Sequence, residues 1–381
     1  MTVRERFPHR GVIGVDTANS SGAGKRIVVL ASGRFSGVTE RLIEALRAKG
    51  AEVEWVRHTL KGMPGRTFGL AAMALHSAWV YRRRMRRYIN RTSTAAWVRG
   101  RASRHLLAQK ERPDAVLLVQ ANYPSYLGKK PADVRWGLIT DHVNLLSKTA
   151  MEHDFNAPES KVYNGWLKVE RKILEDQDRV FVFADYVRQA VIDGYGIGAE
   201  RVVSVGAGPN VDVDAERDGI AKQYGGQNIL FVGVDAERKG LPLVLRAFER
   251  VRRSFPGARL DVAGSDGRDA EGIRFHGRVV GDELKQLFYD ANVLVLPSYR
   301  EPFGIVLLEA MMAKAVCVGT RVGGIGEVVE DGTDCKRSCI SGQERDITLC
   351  RRSLSEPSCQ HCRHARPRIL EPALKVHLRL L

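Results

Sequence analysis

Two glutamates, Glu301 and Glu309, bracket a stretch of sequence with the makings of an anion site. An apolar run ends at Leu296, Pro297 breaks it, and a polar loop leads into a helical pattern that starts near Phe303 or Gly304. The opening N–H groups of a helix lack intrahelical acceptors and sit at the positive end of its dipole. Those of Phe303, Gly304 and Ile305 can therefore hold a diphosphate. Glu301 in the loop and Glu309, about a turn and a half into the helix, would then stand on either side as acceptors for sugar hydroxyls. The plainer alternative is an ordinary acidic helix start with one solvated glutamate. A second phosphate-like segment, Ser20-Ser21-Gly22-Ala23-Gly24-Lys25, fails as a phosphate loop. Asn19 stands where the leading glycine belongs, Arg26 follows the lysine in place of Ser or Thr, and the segment precedes a strand instead of following one.

Glu301-Pro302-Phe303-Gly304, four apolar residues, then Glu309-Ala310-Met311 resembles the E-x7-E signature of family 4 retaining glycosyltransferases of the GT-B fold. The resemblance spans the second half of the chain up to about residue 330. Phe231-Val232-Gly233 with Arg238-Lys239-Gly240 is similar to that family's diphosphate loop, and Phe275 to Val279 to its base-contacting turn. Leu294 to Ser298 and Gly323 to Val329 fit it too. The resemblance implies that Glu309 holds the donor ribose and that Glu301 contacts the transferred sugar. It implies diphosphate binding by Lys239, Arg238 and Gly233, and places Val279 at the base. One departure is Val234, where the family often carries arginine. In the first half the likeness is looser. It implies that Gly37 approaches donor and acceptor, and that His142, beside Asp141, is an active-site histidine.

Elements that position these residues read as two α/β series. Strands are expected at Arg26–Ala31, Val53–Val56, Ala115–Val119, Trp136–Ile139, Val180–Phe183 and Val202–Val205. Helices are expected at 38–49, 163–176 and 186–193, with Gly50 as a helix stop. A Gly-, Asp- and Asn-rich linker, 206–228, leads to strands at 229–232, 260–263, 293–296 and 315–318, and helices at 241–254, 282–290 and 304–313. The fold class is thus α/β: two Rossmann-like doubly wound domains facing a cleft, where ligands of such sheets bind. The domains are expected at 1–210 (with about 25 flexible leading residues) and 211–334, with an atypical tail at 335–381.

Composition separates the tail from the rest. Of 381 residues, 44% are apolar and 27% charged, which excludes wholesale disorder, collagen and a multispan membrane protein. The tail holds five of the six cysteines and none of the aromatics. A zinc reading of Cys359-Gln360-His361-Cys362 with Cys335 and Cys339 matches no familiar spacing. A shifted reading frame accounts better for the abrupt change. The second domain is therefore expected to be incomplete, without its last strand, and transfer to be weak or lost.

The net charge is +16. Arg82 to Arg104 is dense in arginine and follows the apolar stretch Phe68–Tyr81, so an anionic membrane surface is an expected partner, with Trp79 and Tyr81 at the interface. A solvated helical face is the alternative, and no nucleic-acid reader motif accompanies the charge. The expected function is retaining transfer of a sugar from a nucleotide-diphospho-sugar to a saccharide or lipid-linked acceptor, in polysaccharide or glycoconjugate synthesis. The alternative is a GT-B protein that binds nucleotide sugar without transfer. No cofactor or metal is expected, because cations and the helix dipole can stabilise the leaving diphosphate. With no signal peptide visible, the expected location is cytoplasmic, peripheral at the inner membrane face.

Overall fold

The computed structural model describes residues 24–31, 37–61, 64–81, 92–119, 130–147, 160–222, 226–329 and 347–349. The first sheet contains β1 (Arg26–Ala31), β2 (Glu52–Arg57), β3 (Ala115–Val119), β4 (Arg135–Thr140), β5 (Arg179–Val182) and β6 (Val202–Ser204). Its strands are all parallel, in the order β2-β1-β3-β4-β5-β6. Helices α1 (Val38–Ala48), α2 (Arg66–Tyr81), α3 (Ser93–Leu107), α4 (Ser160–Glu175) and α5 (Asp185–Gln189) form its crossovers. β1 and β3 are apolar runs buried along almost their whole length, as strands covered on both faces must be.

The second sheet contains β7 (Asn228–Val232), β8 (Arg259–Ala263), β9 (Ile273–Gly277), β10 (Val293–Leu296), β11 (Val316–Thr320) and β12 (Ile347–Leu349), in the order β12-β11-β10-β7-β8-β9. Its helices are α6 (Ala236–Lys239), α7 (Leu241–Ser254), α8 (Gly281–Asp290), α9 (Ile305–Met312) and α10 (Ile325–Val328). At the junction of α6 and α7, Gly240 takes φ +79 and its Cα faces the Pro297 carbonyl so closely that a Cβ would lie 2.3 Å from the oxygen. Only glycine lets the α6–α7 junction pack against the end of β10 in this way.

Three expectations are corrected. The second sheet was expected to lack its last strand, but β12 pairs antiparallel with β11 at that edge. Ile347 and Thr348 are β-branched strand formers, and the pairing satisfies backbone groups that a bare edge would leave open. The base-contacting turn contains a strand, β9, which alternation did not reveal because this edge strand is only half-buried. The helix expected at 186–193 is α-helical only to Gln189 and continues as a π turn over Ala190–Gly194. Residues 1–23, 82–91 and the tail apart from β12 lie outside the described residues, as do the tail cysteines.

Candidate active site

The carboxyl ends of the two sheets face each other across a cavity of about 490 Å³, a volume suited to a small-molecule ligand. From the second domain, its wall includes Gly233, Val234, Arg238, Lys239, Glu301, Phe303, Gly304, Ile305 and Glu309, and from the first, Asp141 and His142. Two sequence candidates are not brought to this wall. Val279 is buried beyond β9. Gly37 adopts φ +89 at the start of α1, against Asn210, whose side chain a Cβ would meet at 3.1 Å. Its neighbour Val38 lines the cavity instead.

Glu301 is the charged centre. It is 7% exposed. Lys239 Nζ lies 3.1 Å and Arg238 Nη1 3.8 Å from its Oε2, which also accepts from Ser298 Oγ at 3.2 Å. Arg238 is braced by Asp235 Oδ2 at 3.1 Å and donates to the Arg300 carbonyl at 2.6 Å. Val234 is 82% exposed, and in the segment 233–240 the cations in the wall are Arg238 and Lys239.

The 301–304 loop is anchored in the other domain. Phe303 belongs to the first domain's core and packs edge-on to Phe183, with ring centroids 5.7 Å apart. Tyr186 Oη donates to the Pro302 carbonyl at 2.7 Å. Burial, with the charges of Asp141, Glu327 and Glu301 adding to it, raises the Tyr186 phenol's pKa, so it stays a donor. Gly304, at φ +93, caps α9 and turns its N-terminus to the cavity.

Glu309 is buried, and its Oε1 accepts from the backbone N–H of Asn210 at 2.8 Å and of Val211 at 3.1 Å, tying α9 to the interdomain linker. Burial pushes its pKa up to about 7, against the pull of those two bonds and of Lys239 and Arg41. Asp141, at the carboxyl end of β4, is pushed up to about 6. Burial is the main cause; its own backbone N–H opposes it, Glu301 adds to it, and Arg238 opposes it. The turn that carries Asp141 and His142 is fixed from behind. Buried Glu170 accepts from the Asn144 backbone N–H at 3.0 Å, from Asn144 Nδ2 at 2.7 Å, and from the Tyr195 hydroxyl.

Asp141, Ser298, Asn210 and Tyr186 were not singled out as site residues from sequence. Asp141 carried one usable signal, an acid at the carboxyl end of a parallel strand. The arrangement can neutralise a diphosphate with Lys239, Arg238 and the start of α9, and offer carboxylates to hydroxyl groups beside it. Among the described residues there is no group of three or more His, Cys, Asp or Glu able to hold a metal ion.

Two facing parallel α/β domains with the cavity between their strand ends define a GT-B fold. A crystal structure of WaaG, a glycosyltransferase involved in lipopolysaccharide biosynthesis, shares it with a TM-score of 0.53 and 19% identity, over 81% of this chain and 84% of that one. Residues 36–208 match the family described as glycosyl transferase 4-like domain, and residues 226–347 the family described as glycosyl transferases group 1. The two matches follow one another along the chain, one over each of the two facing domains. The chain is 27% identical over 248 residues to a glycogen synthase of Mycobacterium tuberculosis, covering 58% of this chain and 58% of that protein. It is 40% identical over 126 residues to an uncharacterized glycosyltransferase of Methanocaldococcus jannaschii, covering 30% of this chain and 32% of that protein.

Proposed function

We propose that the chain transfers a sugar from a nucleotide-diphospho-sugar to a saccharide or lipid-linked acceptor, with retention at the anomeric carbon. The observation that carries this reading is the Lys239–Glu301 pair, 3.1 Å apart beside the N-terminus of α9 in the interdomain cavity. The bond from the anomeric carbon to the phosphate oxygen breaks, and negative charge gathers on the departing diphosphate. Lys239, Arg238 and the N–H groups at the start of α9 stabilise that charge without metal. The acceptor oxygen bonds to the same face of the sugar, and its proton passes to the departing phosphate. Glu301, released from Lys239 as the diphosphate takes the amine, accepts from the sugar hydroxyls. Glu309 accepts from the ribose through the oxygen not bonded to the linker. The setting is glycoconjugate or polysaccharide synthesis at the inner membrane face.

A second reading is a donor-binding protein impaired in transfer. It is favoured by the 335–381 segment, which holds five cysteines and no aromatic residue. A thermal-shift screen with UDP-, GDP-, ADP- and dTDP-sugars identifies the donor. Glu301→Ala then separates the readings. A transferase loses roughly 10²–10³-fold in turnover while nucleoside diphosphate binding persists. A wild-type chain that binds donor but never transfers supports the second reading. A chain that binds no nucleotide sugar defeats both.

A further inference from the structure

Helix α2 turns its apolar side outward. Phe68, Leu75 and Trp79 fall within about 40° of arc on one face, and they are 74%, 72% and 81% exposed. Its packed side is opposite: Met73 and Ser77 are buried, Met73 against Ala95, Val98 and Ala102 of α3 and against Leu60. Single exposed apolar residues are ordinary, but three large ones in a line form a patch with a purpose. Trp97 of α3 is also 45% exposed.

The charge around this ridge names the partner. From Arg57 to Lys110 the sequence has thirteen Lys and Arg and not one Asp or Glu. On the neighbouring α3, the Arg101 guanidinium lies 5.7 Å over the half-exposed Trp97 ring. A tryptophan-bearing apolar ridge in acid-free basic sequence suits an anionic bilayer: the ridge enters the acyl boundary and the arginines meet headgroup phosphates. No described helix is long and apolar enough to cross a membrane. The helix pair sits at the cleft end of the first sheet. His58, directly after β2, bonds through its ring to the Arg99 carbonyl of α3, and Leu60 enters the α2–α3 core.

We infer that the chain docks on an anionic phospholipid surface through Phe68, Leu75 and Trp79, bringing the rim of the cleft to the bilayer. The inference rests on the transferase reading for its purpose, delivery of a lipid-linked acceptor, but its test does not depend on transfer. The full-length chain is floated with vesicles of phosphatidylcholine alone, or of equal parts phosphatidylcholine and phosphatidylglycerol. Flotation with the anionic vesicles only is expected, weakened by added salt. The F68S/L75S/W79S variant should float at least tenfold less, with unchanged circular dichroism. The blue shift of tryptophan emission on vesicle addition should be largely absent in W79F.

The inference falls if the wild type does not float with anionic vesicles at low salt, or if the triple variant floats as well as wild type. It also falls if the substitutions abolish a concentration-dependent dimer and leave flotation intact, or if duplex DNA outcompetes the vesicles. A chain that floats but binds no nucleoside diphosphate would refute the transferase reading and leave this one standing.

Discussion

Lys239 and Glu301 are each other's counter-charges, both largely removed from water, with side-chain exposures of 15% and 9%. On the proposed function, a donor diphosphate would exchange one anion for another at Lys239, avoiding a new buried charge. Glu309 presents a different balance, because burial holds its carboxyl at about 7 and that of Asp141 at about 6. Both folded-state values lie above the ordinary 4.5 and 3.8. Between about pH 4 and 7 the folded chain thus binds more protons than the unfolded one. The stability these groups contribute is present at low pH and lost as pH rises through their folded values. Glu309→Gln is neutral at every pH and keeps an oxygen for the Asn210 and Val211 amides. The variant should exceed wild type by about 1–3 kcal/mol at pH 8 and match it near pH 4.5. Urea unfolding at both values measures this, and a difference that does not change with pH would sink it. Glu301 and Glu309 were legible in sequence because their spacing on one loop and helix is local. Asp141 was not, since its environment is made first by burial and then by the charges of Glu301 and Arg238, all of which arise only on folding.

At the scale of elements, two very short helices from different domains hold the 301–304 loop. Glu327 of α10 accepts from the backbone N–H of Asp185 at 2.7 Å and of Tyr186 at 2.8 Å, satisfying the start of α5 across the domain boundary. Gly323 and Gly324 permit the approach: a Cβ on Gly323 would lie 1.9 Å from the Glu301 carbonyl oxygen, and one on Gly324 2.6 Å from Phe303 Cα. Glu327→Ala removes this cap from the start of α5 and should cost about 0.5–2 kcal/mol. Hydrogen exchange in residues 301–304 should quicken with it, because Tyr186 then loses its register on Pro302. Unchanged exchange in that loop would show that the contact is incidental. The Gly323-Gly324 pair was visible in the sequence as a motif, but its packing reason lies in the loop it covers. The fully buried β3 was legible to the residue, and so was β10, one face of which is buried and the other half-buried. The half-buried β9 and the three-residue β12 lacked the periodic signal that burial imposes. The apolar content of α2 and an outward Trp79 were legible too, but not that Phe68 and Leu75 share its exposed face.

For the whole molecule, the linker is where the halves are coupled. Asn210 is gripped from both sides: Arg41 of α1 donates to its carbonyl at 3.1 and 2.9 Å, and Glu309 of α9 accepts from its N–H at 2.8 Å. Phe303 adds a second-domain ring to the first domain's core. Each domain nevertheless has apolar clusters of its own, so each can hold together if the couplings are cut. The wild type should therefore unfold in one calorimetric transition, and a chain carrying Arg41→Ala, Tyr186→Phe and Phe303→Ala in two. On the proposed function, a nucleoside diphosphate held at Lys239 would belong to the second domain. At a hundredfold excess over its Kd it adds about 2.7 kcal/mol to whatever unfolds with its site. In the wild type that gain should move the single transition as a unit. In the triple variant it should move only one of the two, the transition that an added Lys239→Ala makes insensitive to ligand. If ligand shifts both transitions of the triple variant equally, the coupling runs through contacts other than Arg41, Tyr186 and Phe303. Two transitions already present in the wild type would mean that the linker grip does not join the domains energetically.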